Sequence, residues 1–378
     1  MEIFGICFLI ILGILIEHQI YLTKVFPYIG YECKFSVDEV FEGADIEIIE
    51  TVTNPTALPI SSLKSEISTS KYLDFAGNTS AVNDKTRSLA SLFSIAGKKR
   101  VTRAWKAKCL KRGIYHIEDT TIVANDIFGF CKYSSLFFVK GSLVVLPTPV
   151  LLDIAPIGYK ELQGDQVVRR FILEDPFTVS GVREYTQRDT MNQIHWGMSA
   201  RHNRLMVRHH EATTQQNMTV IINMQLNKAQ LREEMTDDKL ELAIQIAAGE
   251  LEYTLPRSIP IKLMANAATL DAQTSLVSKE MWGYTHIHDL FVSLAGLQTT
   301  FTLHFSQFLK EYDSEITSPY VTLITAFMDE EIATFIREKE RFGIHFKVYF
   351  LSFSKDAVHF PDLEIYYVLD HTTRKKVS

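Results

Sequence analysis

Cysteine is scarce in this chain, a basic excess is absent, and the short motifs of common enzyme chemistries do not occur. The four cysteines are Cys7, Cys33, Cys109 and Cys131, with no Cys-x-x-Cys pair among them. Cys7 falls in an apolar N-terminal stretch, which leaves an odd number beyond it, so neither a disulfide framework nor a zinc ribbon fits. Unpaired thiols suit a reducing compartment. The formal net charge of −6 lacks the basic footprint that nonspecific nucleic-acid binding needs. No charge run reaches the length of an acidic or basic tail. Gly-x-Ser-x-Gly, a P-loop, a dinucleotide fingerprint and His-Glu-x-x-His are all missing, so nucleotide use would have to come from a partner.

What the chain does have is an ordinary globular composition, 46% hydrophobic and 22% charged over 378 residues. That is enough for two or three domains and too apolar for disorder. Ile3 to Ile16 carries no charge, but as a helix it spans only ~21 Å, short of a ~30 Å hydrocarbon core. Extension to Leu22 reaches the needed length and takes in Glu17, His18 and Gln19, with Tyr21, Phe26 and Tyr28 as an aromatic belt. The expectation is a membrane anchor over residues 1–22. A signal peptide and a buried first helix are the rivals; the stretch lacks the basic lead and the Ala-x-Ala-like site of a signal peptide. Lys24 and Lys34 follow the segment and none precedes it, which places the body in the cytoplasm by the positive-inside rule.

Residues 28–150 alternate. Asp45–Thr53 and Arg103–Leu110 read as half-buried strands, and short strands follow at Ile114–Ile117 and Thr121–Val123. Leu136–Val139 and Leu143–Leu146 read as a hairpin around Gly141, whereas Ser61–Lys99 is polar, less periodic and expected to hold long loops. The expected fold is an antiparallel, Ig-like β-sandwich. Asp126-Ile127-Phe128-Gly129-Phe130 reads as a turn with a capping Asp and plugging rings, or else as a docking lip.

Residues 151–378 alternate strand and helix. Strands are expected at Met218–Met224, Ile259–Ala265, Tyr320–Thr325, Ile344–Leu351 and Leu363–Leu369. Helices are expected at Asp237–Leu251, His286–Leu297 and Asp329–Phe342. This is the pattern of an α/β domain with a mostly parallel sheet. Ligands of such sheets bind beyond the carboxyl ends of the strands, here near Asn223–Gln225, Asn266, Thr325 and Ser352.

The stretch Gly181–Glu211 packs Arg183, Glu184, Arg188, Asp189, Arg201 and Arg208 around Tyr185, Ile194, Trp196 and Val207. Charges interleaved with large apolar groups need partners if buried, so the stretch is either a paired polar cluster or a binding surface. Pairing of Arg183 or Arg201 with Asp189 or Glu211 over Trp196 is the expected arrangement. His195, His202, His209 and His210 cluster with Glu211. A continuous helix would align three of them as zinc ligands, but Leu205–His209 looks extended.

Arg183, Tyr185, Asp189, Ile194, Trp196, Ser199, Ala200, Arg201, Leu205, Val207 and Glu211 together resemble the hallmark of the domain of unknown function 58 family. Arg188 stands where that family has Gly. Arg112-Gly113-x-Tyr115 and Asp126-x-Phe128-Gly129-Phe130 resemble its two other signatures, with Ile127 where Pro is usual. The resemblance implies a membrane segment, a β-sandwich and a C-terminal domain like the von Willebrand factor A fold. It also implies an accessory or assembly role beside a MoxR-type AAA+ ATPase and other membrane proteins, rather than an enzyme. An uncharacterised hydrolase at the sheet's carboxyl edge and a surface adhesin are the alternatives. The divalent-cation loop of the von Willebrand fold, Asp-x-Ser-x-Ser, is degenerate here: Asn223, Gln225 and Asn227 stand in that region. Neutral amides replace the carboxylate a hard cation needs, so no metal and no cofactor is expected.

Overall fold

The computed structural model describes residues 2–75, 81–83, 86–126, 129, 132–139, 141–152, 174–184, 196–202, 204–212, 217–230, 238–270, 272–351, 360, 362–370 and 373–375. The chain divides into two compact units. The first comprises 1–150 with 268–273 and 287–298; the second comprises 151–267, 274–286 and 299–378.

The first unit opens with the helix Glu2–Ile20 (α1), whose apolar side chains are largely exposed. Among the described residues one span, Phe4–Tyr28, is long and apolar enough to cross a membrane. No linker separates α1 from the body: the helix passes into a π-helical turn, Tyr21–Val25, and a 3-10 turn, Phe26–Tyr28. Tyr21, Val25 and Phe26 are buried among Val52, Ile60, Leu63, Phe93 and Ile95. The Tyr21 hydroxyl donates to the Pro59 carbonyl at 2.7 Å, and Phe26 stacks on Tyr133 at 5.1 Å between centroids.

Two antiparallel sheets follow. Gly30–Phe35 (β1), Asp45–Asn54 (β3), Leu73–Asp74 (β5) and Lys99–Cys109 (β8) form one, in the order β1-β3-β8-β5. Ile60–Ser70 (β4), Ala81–Val82 (β6), Thr86–Ile95 (β7), Thr120–Asn125 (β10) and Lys132–Phe137 (β11) form the other, in the order β11-β10-β4-β7-β6. Glu39–Phe41 (β2), Gly113–His116 (β9) and Ser142–Leu146 (β12) make a third, with β12 central, parallel to β2 and antiparallel to β9. Ile46 and Ile48 of the first sheet share a core with Ile67 and Leu89 of the second. Burial takes Cys33 and Cys109 into this core and pushes their thiols up to about 12 and about 11, which leaves both protonated at neutral pH.

Two expectations for this region fail. Ser61–Lys99 is not mainly loop: β4 and β7 pair from Ile60↔Ile95 to Ser70↔Thr86. Their inward positions include Ser65, Thr69 and Ser91, all buried, so the alternation is real but a third of it is polar. Nor do Leu136–Val139 and Leu143–Leu146 form a hairpin, because β11 pairs with β10 while β12 joins a different sheet.

Two of those inward hydroxyls, on Ser65 and Ser91, meet a buried carboxyl, while the Thr69 hydroxyl donates to the His116 carbonyl at 3.1 Å. Along β3 the buried positions are Ile46, Ile48, Glu50, Val52 and Asn54. The buried Glu50 carboxyl accepts from the hydroxyls of Ser65, Ser91 (2.6 Å) and Tyr31 (3.0 Å) and from the Trp105 indole N–H (3.3 Å). Tyr31 and Trp105 lie on its own sheet, the two serines on the facing one. A carboxylate, which only accepts, is thus held by neutral donors across the sandwich.

In the second unit, Glu174–Glu184 (β13) pairs antiparallel with Met206–Ala212 (β14), and the helix Trp196–His202 (α2) lies between them in sequence. The main sheet has seven strands: Leu276–Val277 (β17), Ile261–Ala265 (β16), Met218–Ile222 (β15), Tyr320–Thr325 (β18), His345–Phe350 (β19), Ile365–Asp370 (β20) and Thr373–Lys375 (β21), in that order. The five strands from β16 to β20 are mutually parallel, and the two edge strands run antiparallel. The expected α/β alternation is therefore present.

The helices Asp238–Thr254 (α3), Tyr284–Gly296 (α4), Phe305–Glu311 (α5) and Glu330–Arg341 (α6) follow the strands, α4 from Ile287 onward counting with the first unit. Phe346, Val348 and Phe350 of β19 pack with Phe305, Phe308 and Ile332 of α5 and α6. The alternate positions of β19, Lys347 and Tyr349, face Glu250 of α3 instead. Successive strand residues point to opposite faces, so the sheet is covered on both.

Candidate functional site

The carboxyl edge of the parallel strands is where such sheets place ligands, because strand and helix termini converge there on a topological switch. Here β15 ends at Ile222 and its two neighbours are β16 and β18, so Asn223 stands between strands whose crossovers depart to either side. Asn223, Gln225, Asn266 and Thr325 are all buried at this edge. Ser352, expected alongside them, lies outside the described residues.

Each of these polar groups is engaged. Asn223 donates through Nδ2 to Thr325 Oγ1 at 2.9 Å and accepts through Oδ1 from the Gln225 N–H at 2.9 Å. Asn266 accepts from the Met224 N–H at 2.7 Å and donates to the Leu303 carbonyl at 3.0 Å. Gln225 donates to the Asn227 carbonyl at 2.8 Å, lies 3.3 Å from His304 Nδ1, and accepts from the Phe305 N–H at 3.0 Å at the start of α5. Asn227 Oδ1 accepts from the Ala229 N–H at 3.1 Å, and Gln230 Oε1 from the Leu226 N–H at 2.6 Å. The Thr325 hydroxyl donates onward to the Phe327 carbonyl.

The loop after the first parallel strand is thus stitched to both neighbouring strands by carboxamides acting as donor and acceptor together. A carboxylate could not do this, since it cannot donate. The choice of Asn and Gln fits a closed structural loop. Outside the loop, the Lys228 ammonium bridges Asp329 at 3.1 Å and Glu331 at 3.2 Å, while Asp329 caps α6 through the Ile332 N–H at 3.1 Å. A single ammonium of the same loop thus pairs with both carboxylates. Among the described residues no group of three or more His, Cys, Asp or Glu side chains is placed to hold a metal.

The hallmark stretch is seen in part. Arg183 pairs in register with Val207 across the β13–β14 ladder, and Glu184 with Met206. Glu211 lies on β14 and Trp196 opens α2. Ser199 is buried, and its hydroxyl accepts from the Met206 N–H at 2.8 Å, tying α2 to the start of β14. Arg201 is exposed on α2. Tyr185, Asp189 and Ile194 lie outside the described residues, and so does the expected pairing of Asp189 with an arginine. His202 ends α2 whereas His209 and His210 lie on β14, so no continuous helix runs through these three histidines.

The Arg112-Gly113-x-Tyr115 signature has a structural role inside the first unit. Arg112 is buried and its guanidinium donates to the carbonyls of Leu294 (2.8 Å), Ala295 (3.0 Å) and Leu297 (3.0 Å). These are orphan carbonyls at the C-terminus of α4, where a cation also meets the negative end of the helix dipole. Tyr115 folds back so that its hydroxyl donates to the Lys111 and Arg112 carbonyls at 2.7 and 3.1 Å. Its ring then covers Gly113, where a Cβ would sit 2.9 Å from the Tyr115 Cε1.

In the third signature Asp126 is buried, and its main-chain carbonyl accepts from the Ser61 hydroxyl. Gly129 takes a φ of 77°, a conformation suited to glycine, and Phe128 lies outside the described residues. Sequence reasoning missed four buried charges, Glu50, Glu250, Lys262 and Lys347. The available signal was a lone charged residue on the apolar face of an otherwise regular element.

The family described as "Protein of unknown function DUF58" matches residues 181–255, the hallmark hairpin through α3. This match supports the resemblance read from the hallmark residues. No curated protein matches the chain. Among solved structures, a non-cellulosomal cohesin from the archaeon Archaeoglobus fulgidus is similar at 15% identity and a TM-score of 0.22, covering 31% of this chain and 91% of its own. The CARDB domain of the PF1109 protein from Pyrococcus furiosus, a complex with di-metal ions, gives 14% identity and 0.20, covering 30% of this chain and 91% of its own. Spo0M, a sporulation control protein from Bacillus subtilis, gives 13% and 0.17, covering 30% and 49%.

Proposed function

We propose that this chain is a membrane-anchored interaction protein of the DUF58 type. Its second unit is a von Willebrand factor A-like domain that binds a protein partner without a metal. The observation that supports this most is the carboxyl-edge loop: its Asn223 and Gln225 carboxamides are engaged in internal hydrogen bonds, and the adjoining acids are bridged by Lys228. Such an edge offers shape and polarity to a partner but no reacting group, and no observation favours the hydrolase or adhesin alternatives.

By the family resemblance, the partner is a MoxR-type AAA+ ATPase, and the bodies of both proteins share the cytoplasm. The test is co-purification of the full-length chain with that ATPase from gently solubilised membranes, with and without ATP. A stable or nucleotide-dependent complex supports the reading; two separately eluting proteins under every nucleotide condition would defeat it. Calorimetric titration with Mg²⁺ and Mn²⁺ should show no saturable binding at the loop. A site lost in Asn223→Ala would refute the metal-free reading.

A further inference from the structure

The fold gathers cations at the end of the sandwich from which α1 emerges. Six strand termini meet there: the start of β1, the end of β3, the start of β4, the end of β7, the start of β8 and the end of β10. Two of the connecting loops fuse into one tip. The Lys98 N–H donates to the Thr56 carbonyl at 2.7 Å, and Asn54 Nδ2 donates to the carbonyls of Leu58 (2.8 Å) and Ala96 (3.3 Å). The loops approach so closely at Gly97 that a Cβ would lie 2.1 Å from the Ala57 carbonyl oxygen.

The tip carries Lys98, Lys99 and Arg100 in succession, all exposed, with exposed Lys24 and Lys132 on segments reaching the same end. Asn54–Ile60 and Ala96–Arg100 contain no acidic residue, and Asp126 at this end is buried. This concentration of positive charge stands out in a chain of net charge −6.

Distance decides what the tip meets. With 1.5 Å of rise per residue, α1 is about 28 Å long, close to the thickness of a hydrocarbon core. Tyr21 follows at once and is already in the sandwich core, so no linker lifts the body away from the bilayer. We infer that the Lys98-Lys99-Arg100 tip rests on anionic phospholipid headgroups and holds the sandwich against the membrane surface. The inference rests on the anchor reading of α1 and deepens it. Clustered cations within a Debye length of a negatively charged leaflet are drawn to it, and salt weakens the attraction. The folded arrangement also alters the orientation argument. Lys34 lies four residues along β1 from Gly30 with its ammonium 3.8 Å from Glu32, while three cations distant in sequence take its place at the membrane end.

The test uses the full-length protein in nanodiscs of phosphatidylcholine alone or mixed with phosphatidylglycerol. Trypsin cuts after Lys98, Lys99 and Arg100, so the tip reports its own protection. Cleavage there should slow about tenfold in the anionic discs, recover at high salt, and stay fast in neutral discs given free glycerol phosphate. As a second readout, hydrogen exchange of Asn54–Ile60 should fall in anionic discs for the natural chain. It should not fall for Lys98→Asn/Lys99→Gln/Arg100→Gln, in which Asn suits the positive φ of 55° at position 98. Equal cleavage in both discs by an anchored protein would overturn the headgroup contact alone. Protection by free glycerol phosphate in neutral discs would show an anion site and equally overturn it. Release of the chain from membranes by alkaline carbonate would remove the anchor, and the contact with it.

Discussion

Each unit buries a glutamate, and the two are accommodated by opposite means. Glu50 in the sandwich is met by three hydroxyls and an indole N–H, with no cation among these donors. Glu250 on α3 accepts from the Tyr349 hydroxyl at 2.9 Å and lies 3.8 Å from the ammonium of Lys347, itself fully buried in the middle of the parallel sheet. The Lys347 ammonium also sits over the rings of Tyr349 and Tyr366, at 4.6 and 5.6 Å from their centroids. Neutral donors satisfy a carboxylate locally and leave each donor replaceable. A buried ion pair makes each partner hostage to the other, since losing one strands an opposite charge in a low dielectric.

Breaking the pair should therefore cost most. Lys347→Met is expected to destabilise the second unit by about 3 kcal/mol at neutral pH, with Glu250 taking up a proton to limit the loss. Lys347→Met/Glu250→Leu should recover most of it, since an apolar pair of similar volume substitutes well for a buried ion pair. Hydrogen exchange along His345–Phe350 reads the second unit separately from the sandwich. A single variant as stable as the natural chain, or a double variant no better than the single, would show that the pair is not coupled as the geometry indicates.

The sandwich should respond more gently. Ser65→Ala or Ser91→Ala removes one of four donors and should cost about 1–2 kcal/mol, because hydrogen bonds to a charged acceptor exceed neutral ones. The readout is exchange protection along Asp45–Asn54. Loss of the whole sandwich from one serine would mean that the donors act as a single indivisible network instead.

The same comparison explains what could be read from the chain. In the second unit the parallel strands are mainly apolar and the helices amphipathic, so Val220, Leu263, Ile324 and Val348 announced the parallel sheet, and the lone lysines within Ile261–Ala265 and His345–Phe350 did not blur it. In the sandwich the core itself is part polar. Ser65, Thr69 and Ser91 break the apolar period that marks a strand, so β4 and β7 read as loops although they pair over ten residues. The two serines face inward toward Glu50, which lies on a different strand and is invisible to any local window. The carboxyl edge was legible for a related reason: a loop's residue types can be checked against the ligands a cation needs without knowing the packing. The tip at Lys98–Arg100 was not, because its distance from α1 is short only in three dimensions.

The smallest effect at neutral pH, and the most discriminating, belongs to Glu250→Gln. The carboxamide oxygen can still accept from Tyr349, so the change should be about 1 kcal/mol or less. What distinguishes the variant is its response to pH. Burial raises the Glu250 carboxyl above the usual carboxylate range, a rise that Lys347 and Tyr349 only partly oppose. A group whose folded value is raised contributes its full stability below the unfolded value, near 4, and loses it as pH climbs through the folded value. The natural second unit should therefore weaken relative to Glu250→Gln as pH rises from the acid side, and the difference should level off once the folded carboxyl has ionised. Burial lowers Lys347, so its own contribution runs the other way: complete above the unfolded lysine value and lost as pH falls through the folded one. The two slopes occupy different pH ranges, and comparing Glu250→Gln with Lys347→Met separates them. Parallel stability curves for the natural chain and Glu250→Gln across the acid range would mean that burial does not raise the Glu250 carboxyl, and the contrast drawn from its buried pairing would disappear.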